Sequence, residues 1–82
     1  MKIMKADIEI EFESSKDAEQ VQKSIDPDNT PVPIGIEIDT IVEGKTLKIV
    51  INCNRGIDSF RATVEDIMSA IDLAIRTIES ID

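Results

Sequence analysis

The sequence predicts one α+β domain: a two-layer β-α-β-β-α unit with a three-stranded antiparallel sheet and both helices on one face. Three observations carry this reading. Apolar and polar residues alternate over 4–12, 32–42 and 46–53, the period-two mark of half-buried strands. Two segments, after residue 14 and from about residue 59, switch to helical spacing. The chain has 82 residues with no repeat, linker or low-complexity tract, which fits a single domain.

The first strand points Met4, Ala6, Ile8, Ile10 and Phe12 one way and Lys5, Asp7, Glu9 and Glu11 the other. Ser14 or Ser15 then caps a helix whose first turn holds Asp17 and Glu19. Ala18, Val21 and Ile25 form its narrow apolar stripe, with Gln22 at the edge. Asp26-Pro27 ends it, because proline disfavours the α conformation in the preceding residue. In the second strand Val32, Ile34, Ile36, Ile38 and Val42 share the inward face with Thr40. Pro33 cannot donate a ladder hydrogen bond, so this end is an edge or a bulge. Glu43-Gly44-Lys45 is a tight turn into the third strand, where Leu47, Ile49, Ile51 and Cys53 point inward. Asn54-Arg55-Gly56 breaks the pattern, and a long helix follows from about Ser59 to about Ser80. The opposite sheet face carries Asp7, Glu9, Glu11, Glu37 and Asp39 with Lys5 and Lys48, an acidic solvated surface.

The long helix has more apolar surface than one sheet requires. Phe60, Val64, Ile67, Ile71, Ala74, Ile78 and Ile81 recur in a 4-3 rhythm, widened by Met68 and Ile75 on one side and Ala70 on the other. They span roughly 160°, against about 100° for packing on a single surface. One part of the arc covers the sheet. The remainder, with near-heptad spacing, is filled either by the short helix of the same chain or by a partner helix. The partner-binding candidates are therefore Phe60, Val64, Ile67, Met68, Ile71, Ile75 and Ile78. Behind them lie Arg61, Glu65, Asp72, Arg76 and Glu79, with Asp72 and Arg76 at a favourable i, i+4 spacing.

Composition excludes several classes of function. The net charge is −8, from 17 acids and 9 bases, the reverse of what phosphate neutralisation requires. Phe12 and Phe60 are the only aromatics, too few for a base-stacking platform. With no histidine there is no nucleophile–base pair, and one cysteine cannot hold zinc or close a disulfide. Cys53 reads as a small buried hydrophobe. Asp26, Asp28 and Asn29 resemble a fragment of a calcium loop, but the glycine and terminal glutamate are missing, so turn chemistry explains them. Gly35, Gly44 and Gly56 are too scattered for a phosphate loop, and the GXXG clamp of a KH-type RNA module is absent. No catalytic residue, cofactor or metal site is expected. No signal peptide or membrane span is visible, and the single thiol fits the cytoplasm. Arg61, near the helix start, sits against the helix dipole. A local pair with Asp58 or Glu65 would explain it, and so would a contact to a protein interface or to RNA phosphate shared with Arg55.

Pro27-Asp28-Asn29, the hairpin at Glu43-Gly44-Lys45 and the helix entrance Asp58-Ser59-Phe60-Arg61-Ala62-Thr63-Val64 carry a resemblance over nearly the whole chain. In their order and spacing the sequence resembles the small dimerisation subunit of the KEOPS complex, the Pcc-type family of archaea and eukaryotes. The family often has asparagine where this chain has Glu65. The resemblance implies a non-catalytic subunit of the complex that installs threonylcarbamoyl on the adenosine beside the anticodon of certain tRNAs. It implies a dimer whose helices bundle with helices of a separate, metal-dependent catalytic subunit of ATPase fold, and contact with tRNA only within the complex. Two further alternatives stay open. One is the divergent archaeal paralogue that pairs with and caps the main subunit. The other is a stand-alone KH-like RNA-binding module using Arg55 and Arg61.

Overall fold

The computed structural model describes residues 3–25 and 34–80. Its elements run β1 (Met4–Glu11), α1 (Ser15–Ser24), β2 (Ile36–Glu43), β3 (Thr46–Cys53) and α2 (Ile57–Ser80), the predicted β-α-β-β-α order. The sheet is antiparallel with order β1-β3-β2, so the last strand in sequence is the central one. Ile49 aligns with Ile8 on one side and Thr40 on the other. That register puts all three apolar rows on one face. The turn at Asp26-Pro27, the Pro27-Asp28-Asn29 motif, the Asp28–Asn29 fragment, Val32, Pro33 and Ile81 lie outside the described residues.

Local chemistry explains the element boundaries. Ser14 caps α1: its hydroxyl oxygen accepts the Asp17 amide at 3.2 Å, satisfying one orphan donor of the first turn. Gly44 and Lys45 alone separate β2 from β3, with Gly44 at φ 60° and no positive φ at Lys45. A glycine in the first loop position is the pattern of a type II′ hairpin turn, whose twist matches that of the strands. The α1 stripe docks fully: Ala18 and Val21 are wholly buried and Ile25 nearly so. Gln22 Nε2 donates to Thr40 Oγ1 at 3.1 Å, which ties α1 to β2 and accounts for the polar residues at the edge of both elements.

Two boundaries differ from the sequence reading. Ile34 does not share the inward row of β2. It is 93% exposed, in a turn that precedes the strand, because the ladder begins only at Ile36. That turn is held through its backbone carbonyls instead. Arg55 Nη1 donates to the Ile34 carbonyl at 2.9 Å, and the Asn54 amide donates to the Gly35 carbonyl at 3.0 Å. The second difference is the start of α2. The Phe60 amide donates to the Gly56 carbonyl at 3.0 Å, so helical bonding opens two residues before Ser59.

Gly35 has φ 95°, and a Cβ there would lie 2.5 Å from Asn54 Oδ1 and 2.9 Å from Arg55 Cγ. Gly35→Ala should therefore destabilise the fold by about 1–3 kcal/mol, through left-handed strain and displacement of the Arg55 clamp. Urea denaturation measures this directly. Gly44→Ala should cost less, since its Cβ meets nothing within 4 Å and only the backbone term remains.

Candidate protein-interaction face

The core is lopsided, and the asymmetry defines the candidate site. On β3, Leu47, Ile49 and Ile51 are fully buried and Cys53 is 1% exposed. On β2, Ile36 and Ile38 are buried. On β1, every inward side chain from Met4 to Ile10 is only half-buried, as is Phe12 just beyond the strand. The helices explain the difference. The short α1 packs over β2 and β3, while α2 lies across β3 and β1 and leans on α1. Among the described elements only α2 lies over β1. The apolar row of β1 thus continues onto the outer flank of α2.

The predicted partner residues divide accordingly. Ile67 and Ile71 point into the core, at 8% and 3% exposure. Phe60, Val64, Ile75 and Ile78 are half-buried against it. Met68 is 46% exposed on the flank of α2 away from α1. The helix therefore uses the middle of its arc for its own sheet and leaves one shoulder uncovered. Ile57, at 59% exposure, lies on the same shoulder one turn before Arg61, ahead of the helix start that the sequence pattern suggests. Leu73 also falls outside the sequence pattern. It is 67% exposed on the opposite side of α2, where Ala70, Ala74 and Thr77 face Gln20 and Ser24 of α1 in a shallow groove. It lies outside the continuous stripe, so the periodicity did not flag it.

The arginines have different surroundings. With α2 starting at Ile57, Arg61 occupies the second turn, not the first, and the first-turn charge is Asp58. The dipole effect fades within the first turn, so the apparent conflict at Arg61 largely disappears. Among the described residues no ion pair joins Arg61 to Asp58 or Glu65. Both carboxylates and the guanidinium are exposed. Arg55 stands in the loop before the same helix end. One guanidinium nitrogen binds the Ile34 carbonyl, while its exposed position leaves other donors of the fork open to solvent. The expected Arg76–Asp72 pair forms at 3.1 Å, and both side chains are largely exposed. A solvated pair of this kind contributes little to stability. The outer sheet face is acidic as expected, with a Lys48–Glu43 contact at 3.2 Å.

Cys53 is buried on the inner face, with its thiol 3.9 Å from the Gly56 carbonyl. Among the described residues no group of three His, Cys, Asp or Glu side chains could hold a metal ion. Among the same residues no helix is long and apolar enough to cross a membrane.

Comparison with known proteins agrees with this architecture. A chain in the crystal structure of a binary Gon7–Pcc1 complex superposes with a TM-score of 0.82 at 18% identity, covering 96% of this chain and 96% of that one. At that identity the likeness speaks for the fold. No curated protein sequence matches. A family model described as "Transcription factor Pcc1" matches residues 5–79, from the first strand to the last turn of α2. With nearly its whole length matched, the chain belongs to the Pcc1 family.

Proposed function

We propose that this chain is the non-catalytic scaffold and dimerisation subunit of the KEOPS complex, which makes threonylcarbamoyladenosine in tRNA. It docks the catalytic subunit of ATPase fold through α2 and works in the cytoplasm. The observation that carries the proposal is the uncovered apolar shoulder of α2, continuous with the half-buried row of β1. A domain of this size buries only about 60% of the surface its unfolded chain exposes, so leaving a strip of its core open is costly unless a partner closes it. The pairing of two proteins in the Gon7–Pcc1 complex supports a second small chain, a copy or a paralogue, as one such partner.

The RNA-binding reading rests on Arg55 and Arg61, exposed at one end of α2. The net charge of −8 opposes stand-alone binding and also opposes direct DNA contact of the sort the family description suggests. In this proposal the arginines touch tRNA only as part of a larger surface supplied by the complex.

Reconstitution tests the function. Adding the chain to the catalytic subunit and the other KEOPS components should raise threonylcarbamoyladenosine formation on tRNA well above the level without it. Equal product in both reactions contradicts the proposal. The isolated chain should show no salt-sensitive tRNA binding at micromolar concentration. Tight binding with a steep salt slope would replace the scaffold reading with that of an RNA-binding module.

A further inference from the structure

The sheet has two edges. The β1 edge borders the uncovered strip of α2, whereas the β2 edge lies on the far side of the sheet, beneath α1. One hydrogen bond sets the backbone phase of β2. The Asn54 amide donates to the Gly35 carbonyl at 3.0 Å, continuing the register in which Ile36 meets Cys53. Odd-numbered residues of β2 therefore exchange bonds with β3, and even-numbered ones turn their N–H and C=O groups away from it. Ile36, Ile38, Thr40 and Val42 carry the groups of the open edge, and among the described residues no other backbone bonds to them. Native edges are commonly blunted by proline, lysine, bulges or short length. β2 has none of these over its eight residues, IEIDTIVE, which run in unbroken register with β3.

What this edge does have is charge of one sign. Glu37, Asp39 and Glu43 are exposed on the outer face, with Ile41 among them at 53% exposure. Glu43 meets Lys48 at 3.2 Å. Glu37 and Asp39 stand opposite Asn52 and Val50, which offer no charge, and among the described residues neither makes an ion pair. On the helix side Gln22 reaches Thr40, and Glu19, one turn earlier on that flank of α1, is exposed. A second copy paired here would lay the same carboxylate row beside this one, and like charges directly opposite destabilise a strand pair. A cationic segment meets the reverse condition. Across this edge the odd-numbered residues are the non-hydrogen-bonded positions, where facing side chains come closest.

We infer that the β2 edge takes up an extended segment of a partner protein as a fourth strand, with lysine or arginine opposite Glu37 and Asp39 and an apolar side chain opposite Ile41. The main-chain groups of Ile36, Ile38, Thr40 and Val42 hold the segment, and the carboxylates select it. This edge is separate from α2, so its occupancy and the docking of the catalytic subunit hold or fail independently.

Two synthetic peptides test it on the intact chain. Both alternate threonine with isoleucine and a charged residue, lysine in one and glutamate in the other. Fluorescence anisotropy gives affinity, and amide hydrogen exchange gives location. The lysine peptide should bind and slow exchange at Ile36, Ile38, Thr40 and Val42, and the glutamate peptide should not bind. The Phe12 amide, bonded to the Lys45 carbonyl in continuation of the β1–β3 register, turns the Asp7 and Glu9 amides to the β1 edge, so these should exchange as before. Glu37→Lys with Asp39→Lys should weaken the lysine peptide by about tenfold, the scale of two cross-strand charge pairs turned from attractive to repulsive. Glu9→Lys with Glu11→Lys, the same change of charge at the other edge, should leave affinity within about twofold at physiological salt. The inference is overturned by equal affinity for the two peptides, by failure of the lysine peptide to bind, by protection at Asp7 and Glu9 instead, or by undiminished affinity after Glu37→Lys with Asp39→Lys.

Discussion

Met68→Glu should leave the chain folded and weaken capture of the KEOPS catalytic subunit by at least about tenfold, the scale expected for a central apolar contact at an interface. The physical case rests on where Met68 lies. It is nearly half exposed on the shoulder of α2, so a carboxylate there reaches water in the free protein and costs folding little. In a helix–helix contact the same carboxylate is desolvated without a partner, and that penalty appears only in the complex. Ile75→Glu should weaken capture as well, but Ile75 is half-buried, so part of its effect falls on folding. Lys5→Ala, on the outer sheet face, is the control and should bind as the parent does. Pull-down quantified beside circular dichroism separates the two effects. Undiminished capture by both folded helix variants contradicts docking through α2.

Ile49→Ala should destabilise the chain by about 3 kcal/mol, the middle of the range for large-to-small changes in a core. Ile49 is fully buried at the centre of the central strand, between Ile8 and Thr40. Both neighbours are held by strand pairing, so the cavity cannot collapse readily. In a domain of this length a loss of that size lowers the melting temperature by roughly 10–20 °C. Ile41→Ala changes the same type of residue on β2, at 53% exposure on the outer face, and should move stability by no more than about 0.5 kcal/mol. Thermal and urea denaturation of the two variants compare them directly. Similar losses would contradict the assignment of sheet faces.

Much of the fold was legible because two periodicities do not resemble each other. Strict alternation fixed the inward rows of β1 and β3, and Ala18, Val21 and Ile25 fixed the buried side of α1. What alternation could not reveal is where pairing begins. Ile34 fits the inward pattern, yet the Arg55 side chain on its own carbonyl and the Asn54 amide on that of Gly35 hold it in a turn outside the ladder. The start of α2 escapes the pattern for a related reason. Gly56 offers no side-chain cap, so the capping carbonyl that opens the helix leaves no mark in the sequence. With α2 opening at Ile57, Arg61 stands in the second turn, beyond most of the reach of the helix dipole.

The candidate face was legible only in outline. The width of the apolar arc announced that α2 had surface to spare. Which shoulder stayed open depended on the strand order β1-β3-β2 and on α1 lying over β2 and β3, both long-range outcomes. The half-buried row of β1 follows from the same placement. Leu73 and Ile57 show the complementary failure, since each is an exposed apolar residue that a stripe drawn from the buried positions omits.

Mass by multi-angle light scattering tests the central claim, that this small domain leaves its core open for other chains to close. The monomer is 9.1 kDa. Alone or with its paralogue the chain should run as a two-chain assembly, and with the catalytic subunit it should elute at the summed mass of a stable complex. A mass of 9.1 kDa under all three conditions, with the partners eluting separately, would contradict the account.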